Sequence, residues 1–331
     1  MTMKILVYGS LNIDLVFPVD HIVRPGETIA ESAMIKSAGG KGANQAAALA
    51  KAGMEVYMAG KAGADGHFLL ELLKSYGVNT DNVIIYPGAT GQAIIQVDRS
   101  GQNSIVLYPG GNGEVKESEI APALEAFGPG DAVLLQNEIP HGGRIINLAK
   151  ERGMKVFFNP SPFDEKILAL PLDKVDLLFV NEIEAAALAG EPLASEVFSA
   201  GEVLRPGERS GSVERSGTGP LLQILNKLCE KFPAAEIIIT AGKEGAYYGA
   251  NKGGGSEPSG GPQKIREKAE ALEVPVVDST GAGDTFTGFY IAAREKNYSL
   301  AQALSLACKA ASLAVSRKGA MESMPFKDEV F

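Results

Sequence analysis

Two glycine-rich turns in this chain carry side chains suited to acid–base and phosphate chemistry. In Asp278-Ser279-Thr280-Gly281-Ala282-Gly283-Asp284-Thr285-Phe286 a β-prone run at 274–277 comes first, and Phe286, Phe289, Tyr290 and Ala293 then recur at helical spacing. Gly281, Ala282 and Gly283 are therefore expected at a strand-to-helix turn. Glycines there let backbone N–H groups approach a ligand, and the free N–H groups of a helix start favour an anion. Asp284 at the lip has two readings: a helix cap contributing ~1 kcal/mol, or a base that takes a proton from a hydroxyl attacking a phosphoryl group held in the turn.

The second turn, Ala38-Gly39-Gly40-Lys41-Gly42-Ala43-Asn44, leads into the Ala-rich run 43–50. It lacks P-loop spacing, but Lys41 and Asn44 fall within one helical turn of any ligand seated over it; the alternative is a solvated surface cation. Asp14, in the apolar run 11–17, is by pattern alone an exposed residue on the polar face of a half-buried strand.

The elements that must position these residues are strands at 5–8, 11–17, 29–35, 55–60, 83–86, 92–98, 104–108, 132–135, 155–158, 177–180, 236–240 and 274–277, with helices near 43–50, 68–76 and 143–152. The runs at 83–86, 92–98 and 104–108 read as a local β-meander, and elsewhere strands alternate with helices. That alternation predicts an α/β fold with a mainly parallel central sheet flanked by helices. Ligands in such sheets bind beyond the carboxyl ends of the strands. Five exits there are polar or glycine-rich: Gln136-Asn137-Glu138, Asn159-Pro160-Ser161, Asn181 with Glu184, Thr240 to Gly245, and Asp278. Asn181 and Glu184, three apart at a helix start, can serve one metal–water site or simply cap the helix.

A net charge of −9 argues against a nucleic-acid partner. No run approaches the ~18 apolar residues of a membrane span, and the first residues lack the pattern of a signal peptide. Two cysteines, Cys229 and Cys308, in 331 residues predict a reducing compartment without a disulfide framework, so the chain is read as soluble and cytoplasmic. Cys308, in the Ala-rich run 304–315, is read as helical packing. The segments 190–219, with Arg205, Arg209 and Arg215, and 249–262, rich in Gly, Ser and Pro, are read as flexible surface loops.

Six ordered segments together resemble the PfkB family of carbohydrate kinases, and within it the ribokinase group most closely. They are Gly9 to Asp14, Arg24 to Thr28, Gly39 to Ala46, Asn181 to Glu184, Asp278 to Phe286 and Arg317 to Ala320. The resemblance covers nearly the whole chain, taken as a single kinase domain over 1–331. It implies a ribokinase-like fold whose small β-sheet lid over the sugar comes from about 11–35 and 92–108, and a homodimer formed through that lid. By the same resemblance Asp284 is the catalytic base, and Gly281, Ala282 and Gly283 form an anion hole. Asp14, Gly40, Lys41, Asn44 and Glu138 hold sugar hydroxyls. Asn181 and Glu184 orient Mg²⁺ and phosphate through water, Thr240, Gly242 and Gly245 contact ATP, and Asp278, the Thr280 carbonyl and Ser323 form a monovalent-cation site, usually K⁺. Four departures from the family pattern stand out: an insertion at 204–219, a segment before Val274 unlike the family's strand-rich approach to the central motif, Gln92 in place of a smaller residue beside the sugar, and Cys308 on a helix that usually contacts adenine.

The implied activity is ATP-dependent phosphorylation of a primary hydroxyl, D-ribose at O5 first. Fructose, deoxyribose, 2-keto-3-deoxygluconate or a nucleoside are alternative acceptors. A catalytically silent sugar-binding protein is a reading of another class, against which the intact Asp284 turn argues. A nicotinamide dehydrogenase would need G-x-G-x-x-G after the first strand, which Gly9 to Asp14 does not supply.

Overall fold

The structure, a computed structural model, describes residues 3–100, 102–191, 219–252 and 263–331. In chain order the first half comprises β1 (Lys4–Tyr8), β2 (Asn12–Pro18), β3 (Ile35–Gly39), α1 (Lys41–Lys51), β4 (Glu55–Gly63), α2 (His67–Ser75), β5 (Asn79–Tyr86), β6 (Gly91–Val97), β7 (Asn103–Tyr108) and α3 (Ile120–Ala123). There follow β8 (Ala132–Gln136), α4 (Gly142–Glu151), β9 (Lys155–Asn159), β10 (Leu177–Asn181), α5 (Glu182–Ala189), α6 (Pro220–Lys231), β11 (Glu236–Thr240), β12 (Ala246–Lys252) and β13 (Gln263–Ala269). Helices α7 (Ala282–Glu295), α8 (Leu300–Val315) and α9 (Lys327–Val330) complete the chain.

Nine strands form the central sheet in the order β13-β12-β11-β10-β9-β8-β1-β4-β5, parallel except where β12 pairs antiparallel with β11 and β13. Both faces are buried, so its strands are apolar runs whose alternate residues enter different cores. Ile5 and Val7 belong to the core shared with α1, α7 and α8, whereas Leu6 and Tyr8 belong to the opposite core shared with α4 and α6. The chain builds outward from β1 to β4 and β5 on one side, then returns to β8 on the other. This reversal opens a crevice beyond the carboxyl ends of β1 and β8. A separate sheet, β3-β2-β6-β7, forms the lid.

Four expectations are corrected. Residues 274–277 form no strand: Pro275 supplies no N–H, Val276 and Val277 are exposed, and the Val277 N–H bonds the Val315 carbonyl at the end of α8 instead. The lid strand expected at 29–35 lies at Ile35–Gly39, because its partner β2 ends at Pro18 and pairs Val16 with Ile35 and Asn12 with Gly39. The run 83–86 belongs to the central sheet beside β4, so only β6 and β7 form a hairpin. Residues 249–252 continue β12 as far as Lys252 and pair with β13 rather than opening a loop. The rest of the loop expected over 249–262 lies outside the described residues. So does most of the loop expected over 190–219, including Arg205, Arg209 and Arg215; Gly190 ends α5 in left-handed conformation and Gly219 precedes α6.

Helices α1 and α7 cross so closely that a Cβ at Gly288 would lie 2.6 Å from Ala48 Cβ and 2.8 Å from the Leu49 nitrogen. The Leu49 nitrogen and the Ala48 carbonyl carbon, also 2.8 Å away, are backbone atoms, which cannot rotate away. Gly288→Ala is therefore expected to lower stability by about 1–3 kcal/mol despite its better helix propensity. The check is a lower urea midpoint at unchanged slope; a midpoint equal to the wild type would mean that the crossing yields freely.

Candidate active site

The N-termini of α1 and α7 meet over the crevice. Gly281 adopts φ 76° and leads directly into α7, whose first turn lines one side of a cavity of about 290 Å³; the Ala282 N–H donates to the Ser279 carbonyl at a long 3.3 Å, and the N–H groups after it lie at the open start of the helix. Asp284, 7% exposed, sits in the first turn. Its carboxylate accepts one hydrogen bond on each oxygen, from Asn44 Nδ2 (3.1 Å) and from Gln45 Nε2 (2.9 Å). The cap reading of Asp284 is therefore set aside: its side chain is held by α1, while Gly281 occupies the cap position.

Gln45, fully buried, is the residue that sequence reasoning missed. Its Nε2 also lies 3.1 Å from Asn159 Oδ1, its Oε1 accepts from Gln136 Nε2 at 2.6 Å, and Asn159 Nδ2 donates to the Phe179 carbonyl at 2.8 Å. This amide chain ties the ends of β8, β9 and β10 to Asp284. Its one available signal was position: Gln45 directly follows Asn44 on a helix entering the crevice. Asn44 Oδ1 is buried with no partner among the described residues, an acceptor whose cost a ligand hydroxyl would remove.

The other residues expected around a sugar converge on the same place. Gly40, φ 93°, caps α1 so closely that a Cβ would stand 2.8 Å from the Asn12 N–H nitrogen. Glu138 accepts from the Ser10 hydroxyl and, at 3.2 Å, from the Lys41 N–H. Asp14 on β2 is 8% exposed rather than on an open face, and any side chain at Gly39 would strike its carboxylate. Burial, then the Glu138 and Glu322 charges, push the Asp14 carboxyl up to about 7. Burial likewise raises Glu138, with Ser10 and Lys41 opposing it only in part. Burial works to lower the Lys41 ammonium, but Asp284, Glu138 and Glu184 outweigh it and hold it above its ordinary value. Lys41 also borders the 290 Å³ cavity, so it faces both the carboxylates and the anion-binding turn. Gln92 is not beside this group. It pairs with Ile13, one residue out of phase with the Asp14–Ala93 pair, so it projects from the opposite lid face and Ala93 occupies the side of Asp14.

Asn181 and Glu184 form a reciprocal capping box: Asn181 Oδ1 accepts from the Glu184 N–H (2.8 Å) and Glu184 Oε2 from the Asn181 N–H (3.0 Å). Both border the same cavity, and the box leaves Glu184 Oε1 and the Asn181 amide nitrogen free of it. A hard carboxylate oxygen beside an anion-binding turn fits a water-bridged Mg²⁺. Asp278 accepts from the Thr280 N–H (2.9 Å) and the Gly319 N–H (3.1 Å), and buried Ser323 donates to the Ala320 carbonyl (2.8 Å). Asp278 and Ser323 thus meet one segment, 319–323, with an all-oxygen donor set that fits a hard monovalent cation.

A second cavity of about 640 Å³ lies behind the turn, sharing Thr240, Ser279, Ala282 and Gly283 with the first. Gly242 and Gly245 edge it, both at positive φ; a Cβ at Gly245 would lie 2.0 Å from the Ala269 carbonyl. Its walls are apolar: Leu272, Val274, Phe286 and the stripe Cys308, Ala311 and Val315 on α8. Cys308 therefore walls a cavity as well as packing a helix. Its stripe was visible at i, i+3, i+7, but nothing in the spacing says that such a stripe borders a cavity.

Residues 2–327 match the family model described as pfkB family carbohydrate kinase. The ribokinase of Staphylococcus aureus is 32% identical over 340 residues, covering 100% of this chain and 99% of its own. The solved ribokinase of Cryptococcus neoformans in complex with ADP superposes with a TM-score of 0.77 at 33% identity, covering 100% of this chain and 98% of that one. The Arabidopsis thaliana ribokinase complexed with ribose and ATP gives 0.75 at 29%, with the same coverage.

Two outcomes are expected. Gln45→Leu strips donors from Asp284 and Asn159 and the acceptor from Gln136, lowering stability by about 1–3 kcal/mol. In a double-mutant cycle with Asp284→Asn the two should couple by about 1 kcal/mol or more; strict additivity would show that the contact carries no energy. The raised Asp14 carboxyl gives a pH signature in the sugar-free protein. Between 3.8 and about 7 the unfolded chain releases the proton that the folded chain keeps, so stability falls as pH rises. Asp14→Asn removes that loss, and its advantage over wild type should grow by a few kcal/mol from pH 4 to 7. A difference constant across that window would refute the assignment.

Proposed function

The chain belongs to the PfkB family of carbohydrate kinases, phosphotransferases acting on a sugar hydroxyl, and from that premise we propose that it transfers the γ-phosphoryl group of ATP to the primary hydroxyl of a pentose, D-ribose at O5. The observation that carries this reading is the position of Asp284. It stands at the anion-binding turn, oriented by two amides of α1, between a carboxylate-lined slot and a cavity that continues into an apolar pocket.

In this reading Asp14, Glu138, Asn44, Lys41 and the Gly40 backbone hold the sugar hydroxyls. The orphaned Asn44 Oδ1 supports a ligand rich in hydroxyls rather than a planar base. The adenine ring lies in the apolar cavity edged by Gly242 and Gly245, with Thr240 at the junction. Asp284 withdraws the proton from the attacking hydroxyl as its oxygen bonds to the γ-phosphorus, while the bond from that phosphorus to the β-phosphate oxygen breaks in line and ADP leaves with the electron pair. The N–H groups at Gly281, Ala282 and Gly283 and the Lys41 ammonium stabilise the charge on the transferring group. Mg²⁺, oriented by Glu184 and Asn181, would add charge neutralisation at the phosphates, and a K⁺ held by Asp278, the Thr280 carbonyl and Ser323 would brace the turn.

We read residues 1–331 as one kinase domain with the lid inserted. A homodimer through that lid is supported by its exposed apolar side chains, among them Val106 at 63% and Tyr108 at 50% exposed. Cytoplasmic residence is supported by the two buried free thiols, Cys229 and Cys308. Among the described residues no helix is long and apolar enough to cross a membrane.

The test is an ADP-release assay with Mg-ATP across ribose, deoxyribose, arabinose, fructose, 2-keto-3-deoxygluconate and nucleosides, with and without potassium. Ribose should be preferred and potassium stimulatory; preference for another acceptor would overturn the ribose assignment, and no turnover on any would overturn the kinase reading. Asp284→Asn should fold and bind sugar but lose about 10²–10⁴-fold in kcat. Wild-type turnover in that variant would remove Asp284 from the role.

A further inference from the structure

We propose that Lys51, at the opposite end of α1 from the site, is a positioning residue for phosphoryl transfer, its ammonium fastening the 319–324 segment on which the anion-binding turn rests. The inference rests on the kinase reading above and assigns a residue that the reading leaves unused.

Lys51 is 3% exposed, rare for a lysine. It is partnered by carbonyls and rings rather than a carboxylate: Nζ donates to the Met321 carbonyl (2.7 Å) and the Met324 carbonyl (3.1 Å), 4.3 Å from the Tyr76 ring centre and 4.8 Å from that of Phe326. Burying an ammonium costs several kcal/mol. Two charge-assisted hydrogen bonds and two desolvated cation–π contacts can offset it. Burial pushes the ammonium down to about 8, with Glu322 and Glu329 pulling it up and Arg317 down, so at neutral pH it remains mostly charged. A methionine would fill the same volume without that cost, so the charge needs a reason beyond packing.

The reason lies in what the carbonyls belong to. Met321 and Met324 bracket Ser323, whose hydroxyl holds the Ala320 carbonyl. The same segment is tied to the turn at two points. The Gly319 N–H donates to Asp278, and a Cβ on Gly281 would meet Met324 Cε at 3.3 Å and Ala320 Cα at 3.6 Å. Ala320 and Met324 are therefore the floor under the residue that aims the N–H groups. Helix α1 grips the reaction centre twice: its first turn holds the Asp284 carboxylate through Asn44 and Gln45, and its last residue holds the floor. One rigid helix about 15 Å long thus fixes the base relative to the N–H groups.

The test compares Lys51→Met, which keeps the stem and removes the charge, with Lys51→Arg, which keeps donors. Both are assayed for kcat and KM by ADP release and for sugar affinity by calorimetry, with wild type and Asp284→Asn as controls. Lys51→Met should retain sugar affinity within about twofold while kcat falls about tenfold or more, and Lys51→Arg should recover most of it. Wild-type kcat in Lys51→Met, or equal losses of affinity and turnover in both variants, would reduce Lys51 to packing. If Lys51→Met does not fold, Phe326→Leu removes one ring face at a half-exposed position. It should lower kcat with sugar affinity kept, and unchanged kcat there would overturn the proposal. An inactive wild type would refute the kinase reading instead.

Discussion

Helices α1 and α7 can lie in contact only because residue 288 has no side chain, and that approach governs everything above it. Their N-termini open on the same crevice because the crossing fixes their separation, so the amides of α1 reach the carboxylate of α7 at hydrogen-bond distance. Interiors are close-packed and yield little. A shift at residue 288 would therefore pass along both helices to Asp284, Asn44 and Gln45. The crossing belongs to the apolar core but sets polar geometry at the surface of the crevice.

The electrostatics of the crevice follow from crowding several acids around one cation. Asp14, Glu138, Asp284 and Glu184 act on Lys41 or on each other, in a chain whose net charge is −9. Two unit charges 4 Å apart interact by about 4 kcal/mol at an effective dielectric of 20. One lysine cannot balance that many carboxylates and a polyphosphate as well. The structure divides the load. Asp14 relieves its share by holding its proton more tightly, Glu138 leans on Ser10 and the Lys41 N–H, and the anion-binding turn uses backbone dipoles that bring no counter-charge to be solvated. A net charge of −9 does not prevent a local surface suited to an anion, because the field that matters is a few ångströms wide.

The parallel strands and both glycine-rich turns were legible in the sequence because local composition and periodicity determine them. Residues whose role depends on distant partners were not. Gln45 meets Gln136, Asn159 and Asp284 across separations of 91, 114 and 239 residues, and no window contains that information. The apolar run 274–277 shows the converse failure: its β propensity is real, but β12 and β13 already complete that side of the sheet. It lies along the end of α8 instead, where Val274 and Val276 line the apolar cavity. Gln92 is a matter of parity. The family resemblance placed it beside the sugar, and the register of β2 with β6 decided that it faces away from Asp14.

Placement of the acids on different sheets has a consequence for how acceptor and chemistry can vary. Asp14 rides on β2 of the lid, whose small neighbour Ala93 leaves room beside it, whereas Asp284 is fixed to the central body through α1 and the ends of β8 and β9. Changes in the lid strands can therefore reshape the slot around Asp14 without disturbing the amide chain that orients Asp284. The reverse does not hold. Any change that moves α1 displaces Gly40, Lys41 and Asn44 together with the orientation of Asp284, because one helix presents all of them. In the proposed mechanism acceptor selectivity is thus separable from catalysis on the lid side only, and the sequence of α1 is constrained by both.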